Sequence, residues 1–478
     1  MDFWGSNVWG VLSIVTILLI SLILSNIIKR VVPFLNKSLI PTSVLGGLIL
    51  LIFSSIYTAC TGENVFNTSA FGGDGLGVLE IITYHALAIG FVAQTLKVSE
   101  RKLTKKRATE IFNTGVTTVS TYLLQAFLGL GITILISSFI MRELFPASGV
   151  LLCFGFGQGT GQALNFGTIY QNAPFNFDGG ADFGLSIAAL GFLSASIGGV
   201  IYLNILRKKS HKFTNLENDS SPKAKVVDEG GETSNGSIDK LTFQIGLIAV
   251  AYAMAYGLMY GLGELLPNMR ATIYGFNFLF GVLTATLVKL AFNILYKKSK
   301  VKKQYQNNYL LTRLSNFSFD IMIVAGIAAI RLEAILQYWH VLLILAVVGL
   351  LVTFFYNKFI AKKFFPEYKE EQFMVMYGML TGTASTGVML LREIDPEFKT
   401  PANENLVYQN LPAIVFGFPL MLLANFAPVN PLLTLGILFA FFIVMNIILF
   451  RSFIFRRKKP IPNSENTAEP TQSSTPTE

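Results

Sequence analysis

The chain has 478 residues, of which 52% are hydrophobic and only 14% charged, with a mean hydropathy of +0.55. Soluble globular proteins carry roughly a quarter charged residues, so the composition excludes an ordinary soluble domain and fits a protein that lives in a bilayer. Lysine and arginine (37) exceed aspartate and glutamate (28), a net charge of +9, yet no nucleic-acid motif accompanies the excess; two cysteines and three histidines supply neither a disulfide framework nor a metal site.

Apolar blocks of about 20 residues, the length that crosses a ~30 Å hydrocarbon core, recur along the chain. The predicted spans are 8–28, 39–59, 76–96, 111–138, 183–206, 241–262, 272–295, 317–337, 341–359, 411–425 and 431–450. The first has no basic stretch before it and no small-residue cleavage site after it, so it reads as a retained span and not a signal peptide. Lysine and arginine collect in cytoplasmic loops, which sets the orientation. Lys29, Arg30 and Lys37 put the first connection inside and the N-terminus outside. "KVSERKLTKKR" (97–107), the polar stretch 207–240, "KKSKVKK" (297–303), Lys362 with Lys363, and "RRKK" (456–459) are all inside, so the C-terminus is cytoplasmic.

"CFGFGQGTGQALNFGTIYQ" (153–171) breaks this pattern, with Gly155, Gly157, Gly159 and Gly161 at every second position. The span before it ends outside and the span after it begins outside, so 147–171 is predicted to be a re-entrant hairpin entering from outside. "VMYGMLTGTASTGVMLL" (375–391) is the mirror case, a hairpin over 372–391 entering from inside. The predicted fold class is therefore an all-α polytopic membrane protein of two inverted-topology repeats, each with five spans and one re-entrant hairpin. The first repeat covers 1–206 and the second 241–425, joined by a cytoplasmic linker (207–240). One extra C-terminal span (426–455) and a disordered tail (456–478) follow. Inverted repeats of this kind mark secondary transporters.

A helix that stops at membrane depth leaves free N–H groups at one break and free carbonyls at the other. Such backbone survives only when buried in protein or lining a wet cavity. The N-terminal end suits a carboxylate, whereas carbonyls with hydroxyls suit Na⁺. The candidate substrate-binding residues at the two tips are Gln158, Gly159, Thr160, Gly161, Gln162, Gly382, Thr383, Ser385 and Thr386. The Thr160 and Thr386 hydroxyls are also candidates for Na⁺. The plainer alternative is that these glycines only let helices pack closely.

"GQGTGQA" (157–163) and "GMLTGTAST" (378–386) resemble the two hairpin motifs of the bacterial sodium/glutamate symporter family, and "IPTSVLGG" (40–47) is similar to that family's second-span motif. The order and topology are compatible with that family along roughly 8–425. The resemblance implies a ten-span, inverted-repeat, Na⁺-coupled carrier of L-glutamate, homodimeric, with a moving transport domain in the plasma membrane. The chain departs from that pattern at Gln158, where the family has histidine, and at Ser385, where it has proline. The C-terminal span and the long linker are additions. These departures leave the transporter class intact and widen the substrate to closely related anions.

Ionisable residues inside spans are costly and mark function. Asp320, a few residues into 317–337, reads either as a Na⁺ ligand or as an interfacial carboxylate. Arg331, near the far end of that span and followed by Glu333, reads either as a partner for the substrate's carboxylates or as a residue snorkelling to the headgroups. His85 shares its span with Glu80 and reads as a satisfied buried histidine more readily than as a proton relay. The functional expectation is sodium-coupled symport of L-glutamate or a related anion by alternating access, with Na⁺ as coupling ion and no cofactor. The alternatives are an ion channel using the hairpins as a filter, or a Na⁺/H⁺-coupled carrier of another organic anion. No Ser/His/Asp set, paired carboxylates or HExxH motif points to an enzyme.

Overall fold

The computed structural model describes residues 6–37, 39–98, 104–209, 239–298, 306–396 and 398–454. The expected linker lies mostly outside these residues, and the tail lies wholly outside them. The described residues are helical, with no strand. In the first half they form α1 (Ser6–Val31), α2 (Pro33–Lys37), α3 (Thr42–Thr61), α4 (Gly75–Leu96), α5 (Lys105–Phe139), α6 (Leu151–Gln158), α7 (Thr160–Gln171) and α8 (Gly180–Lys209). The second half forms α9 (Lys240–Leu265), α10 (Arg270–Gly275), α11 (Asn277–Lys298), α12 (Asn308–Ala328), α13 (Leu332–Ile335) and α14 (Trp339–Phe364). It continues with α15 (Lys369–Leu380), α16 (Ala384–Arg392), α17 (Ala402–Tyr408), α18 (Asn410–Phe426) and α19 (Pro431–Ile454).

Ten helices are long and apolar enough to cross a membrane, and α17 with α18, bent by 51° between them, makes an eleventh candidate. This is the architecture of a multi-pass membrane protein. Helix ends follow local chemistry. Asp74, Thr104 and Asn307 accept the first-turn N–H groups of α4, α5 and α12, and Gly62 closes α3 in the left-handed conformation at φ 82°.

One predicted span is displaced. The chain expected to cross over 317–337 crosses instead as α12, Asn308–Ala328, and breaks before Arg331. A polar stretch, "NYLLTRLSNFSFD", masks the first turns of this helix from a hydropathy window. In consequence Asp320 sits past the middle of α12 and not near its start, and Arg331 caps the short helix α13 and lies outside any long helix.

The helices of the two halves interleave. α12 packs along α4, and α3 packs on α12, where Gly47 lies against Ile327. α5 packs on α14, α18 and α19. α8, α5 and α12 are the most enclosed of the long helices, while α1 and α19 are the least. α8 carries glycine at 184, 191 and 198, every seventh residue and so on one face. Ala163 of α7 abuts the first, the Thr381 carbonyl the second, and Tyr377 of α15 the third. This bare stripe lets backbone approach backbone and seats both glycine-broken segments against one helix.

Candidate functional site

Both glycine-broken stretches fold as helix–break–helix. α6 ends at Gln158, Gly159 takes φ 80° and ψ −171°, and α7 begins at Thr160. That conformation is essentially restricted to glycine. In the second stretch α15 ends at Leu380, three residues intervene, and α16 begins at Ala384. In each stretch the two arms pack on each other.

The two breaks meet. A Cβ built on Gly159 would lie 3.0 Å from Thr383 Cγ2 and 3.4 Å from the Gly382 carbonyl. Around the junction the N-termini of α7 and α16 come together, and neither has a side-chain cap. Their partial positive ends suit an anion. The C-terminal ends of α6 and α15 bring carbonyls to the same place.

A cavity of about 90 Å³ opens at this junction, walled by Gln158, Gln162, Gly382, Thr383, Gln409 and Tyr122 among others. Five carboxamides face it (Gln94, Gln158, Gln162, Gln409 and Asn410), and among the described residues no lysine, arginine or carboxylate does. Gln162 is 1% exposed, and both polar atoms of its amide lack a hydrogen-bond partner. The Gln409 Oε1 is likewise buried and unpartnered, while its Nε2 reaches Met379 Sδ at 3.3 Å and Asn410 Oδ1 at 3.1 Å. Buried polar atoms are normally satisfied, so these mark a place where a polar ligand or water completes the set. Gln125, on α5, ties the breaks to the rest of the molecule. Its Nε2 donates to Thr353 Oγ1 at 2.7 Å and to the Leu380 carbonyl at 2.9 Å. Its Oε1 sits close to Gly157.

The predicted site residues divide into two groups. Gln158, Gly159, Thr160, Gly161, Gln162, Gly382, Thr383, Ser385 and Thr386 all lie at or within one turn of the two breaks. The Thr160 hydroxyl donates to the Met322 carbonyl of α12 at 3.3 Å, and Gly326 makes room for the Thr160 side chain. Thr383 and Thr386 pair through their hydroxyls at 3.4 Å. Asp320 does not join them: its carboxyl is beside the Ser43 hydroxyl of α3. Met322, two residues on, faces the cavity from the opposite side of the helix.

Arg331 is not in the cavity either. Its Nη2 donates to Asp182 Oδ2 at 2.8 Å, its Nε to the same oxygen at 3.1 Å, and its backbone N–H to Oδ1 at 2.7 Å. The Asp182 side chain is 2% exposed and that of Arg331 41%. The aspartate's hydrogen bonds raise the guanidinium further above its ordinary value. This correction has a simple cause. Asp182 lies just before the predicted span 183–206, where a carboxylate looks like a loop residue. His85 is also placed differently from expectation: it is exposed on the protein's flank, and its Nδ1 is 2.7 Å from the Tyr252 hydroxyl.

Sequence reasoning missed Gln125, Gln409, Asn410 and Tyr122. The only available signal was a polar residue interrupting an apolar run, as Gln125 does in "STYLLQAFLGL". No protein-family profile matches this chain, and no curated protein matches it.

Proposed function

We propose that this protein is a secondary active transporter that couples inward Na⁺ movement to uptake of L-glutamate or a closely related anionic substrate. The observation that carries this reading is the meeting of the two glycine-broken segments at Gly159 and Thr383. On the predicted topology they enter from opposite faces, so their junction lies where alternating access needs a binding site. Packing of like on like supports an inverted repeat. The third span of each unit (α4 and α12) packs on its counterpart, as do the fourth spans (α5 and α14) and the two breaks.

The anion is held by the uncapped N-termini of α7 and α16 with the carboxamides of Gln158 and Gln162, and not by Arg331. Na⁺, as co-transported cargo, is offered the carbonyl ends of α6 and α15 with the Thr160 and Thr386 hydroxyls. Asp320 stands apart from that set. The cavity, about 90 Å³, is smaller than the ~300 Å³ typical of small ligand pockets, as expected of a carrier site that widens to admit its substrate. This favours a gated carrier over a standing pore.

The test is thermal stability of the purified protein with glutamate or other dicarboxylates, each in Na⁺ and in K⁺. Ligand and coupling ion together should stabilise more than either alone, by linkage. Equal stabilisation in Na⁺ and K⁺ contradicts coupling to sodium.

A further inference from the structure

A second recess, of about 810 Å³, lies on the flank of the helical body between α4, α9 and α12. Its walls are almost wholly apolar, with Ile89 on α4, Ile245 and Ile248 on α9, and Phe317 and Ile321 on α12. Small residues, Ala86, Ala249 and Ala253, line it as well and leave the room that a larger side chain would take. Along α9 it runs from Ile245 to Met259, about 21 Å at 1.5 Å per residue. One leaflet of the hydrocarbon core is about 15 Å deep, so the furrow extends along the membrane normal past the midplane. Two polar contacts lie in its wall: His85 Nδ1 is 2.7 Å from Tyr252 Oη, and the Tyr84 hydroxyl donates to the Tyr274 carbonyl at 2.7 Å.

The end of the furrow that the lysine and arginine placement assigns to the cytoplasm lies beside one arginine, Arg313. Tyr309, Arg313 and Phe317 recur at every fourth residue on one face of α12, and all three are exposed. Phe317 lines the furrow and Arg313 stands one turn beyond it, its guanidinium 5.2 Å from the centroid of the Tyr309 ring. Among the described residues no carboxylate lies within ion-pair distance of Arg313. An arginine over a tyrosine at a helix end, above an apolar furrow, has the form of a headgroup site over an acyl-chain slot.

We infer that this recess binds one anionic glycerophospholipid of the cytoplasmic leaflet, its phosphate at Arg313 and one acyl chain in the furrow between α9 and α12. A second copy of the chain is the poorer occupant. A neighbouring helix in the furrow would not by itself bring an anion to Arg313, whereas a lipid phosphate does. The lipid fills the gap that α9 leaves against α4 and α12.

The test is native mass spectrometry of the full-length protein, equilibrated with phosphatidylglycerol and phosphatidylcholine of identical chains. One phosphatidylglycerol should be retained in preference to phosphatidylcholine. Arg313→Gln should lower that preference about fivefold, the effect of one basic residue near a charged headgroup. Ala249→Trp should fill the furrow and remove the retained lipid whatever its headgroup; Ala253→Leu is the milder variant should the tryptophan prevent folding. Equal retention of the two lipids by the wild type, or an undiminished preference in Arg313→Gln, overturns the inference. So does a dimer that Ala249→Trp dissociates while the lipid stays bound, which would assign the recess to a second copy.

Discussion

Gln162 is the residue on which the binding site turns. Its carboxamide is enclosed and makes no hydrogen bond to the protein, and leaving such a buried group unmet costs about 1–3 kcal/mol. Gln162→Met, which keeps length and removes both polar atoms, should leave the ligand-free protein as stable as before or about 1 kcal/mol more so. The same variant should abolish the thermal shift produced by substrate with Na⁺. A retained shift would move the site away from this amide.

Arg331 behaves oppositely. Removing it strands the buried Asp182 carboxylate, which costs several kcal/mol in a fully buried pair. Here the partial exposure of the arginine reduces the effect to about 1–3 kcal/mol. Arg331→Gln should therefore lower stability with little change in apparent substrate affinity, and adding Asp182→Asn should recover part of the loss. A large affinity loss at unchanged stability would return Arg331 to the substrate.

Among elements, the first break was the most legible, because glycines at every second position of an apolar run weaken a helix; the second, with glycines at 378, 382 and 387, was legible only beside it. Gly159 shows why the motif needs glycine there, since its backbone angles are forbidden to other residues and its neighbour across the junction is 3.0 Å from where a Cβ would sit. Gly159→Ala should cost about 1–3 kcal/mol, the usual strain of such a conformation, measured by thermal or denaturant unfolding. Thr383→Ser, which removes the crowding methyl, should recover only the smaller steric part. Full recovery would mean that crowding and not backbone strain fixed the residue.

The long spans were legible from hydropathy alone, except where polar residues on a buried helix face diluted it. α12 is the example: Ser315 donates to the Gly90 carbonyl at 3.0 Å and Ser318 faces inward, so its first half reads as loop. The carboxamides of Gln125 and Gln409 were not legible as site residues. Their role depends on which helices face each other, and that is set by packing between segments more than 200 residues apart, as with Gln125 and Leu380.

For the whole molecule, the arrangement makes the two halves one working body, since each break is cradled by α8 and contacts the other. The orientation rests on lysine and arginine placement and is open to direct labelling. In a Cys60→Ser, Cys153→Ser background, cysteines placed at Ala173 and Gly179 should react with an impermeant thiol reagent from outside. One at Thr400 should be protected in right-side-out vesicles. Labelling of all three from one side would remove the opposed entry of the breaks and with it the inverted repeat.

The most direct measurement is uptake of labelled L-glutamate into proteoliposomes holding the purified protein, under an imposed inward Na⁺ gradient. Uptake should be saturable and accumulate substrate above the external concentration, and it should be lost when K⁺ replaces Na⁺ and lost in Gln162→Met. A flux indifferent to sodium, or unitary currents through the same protein in a planar bilayer, would contradict sodium-coupled symport.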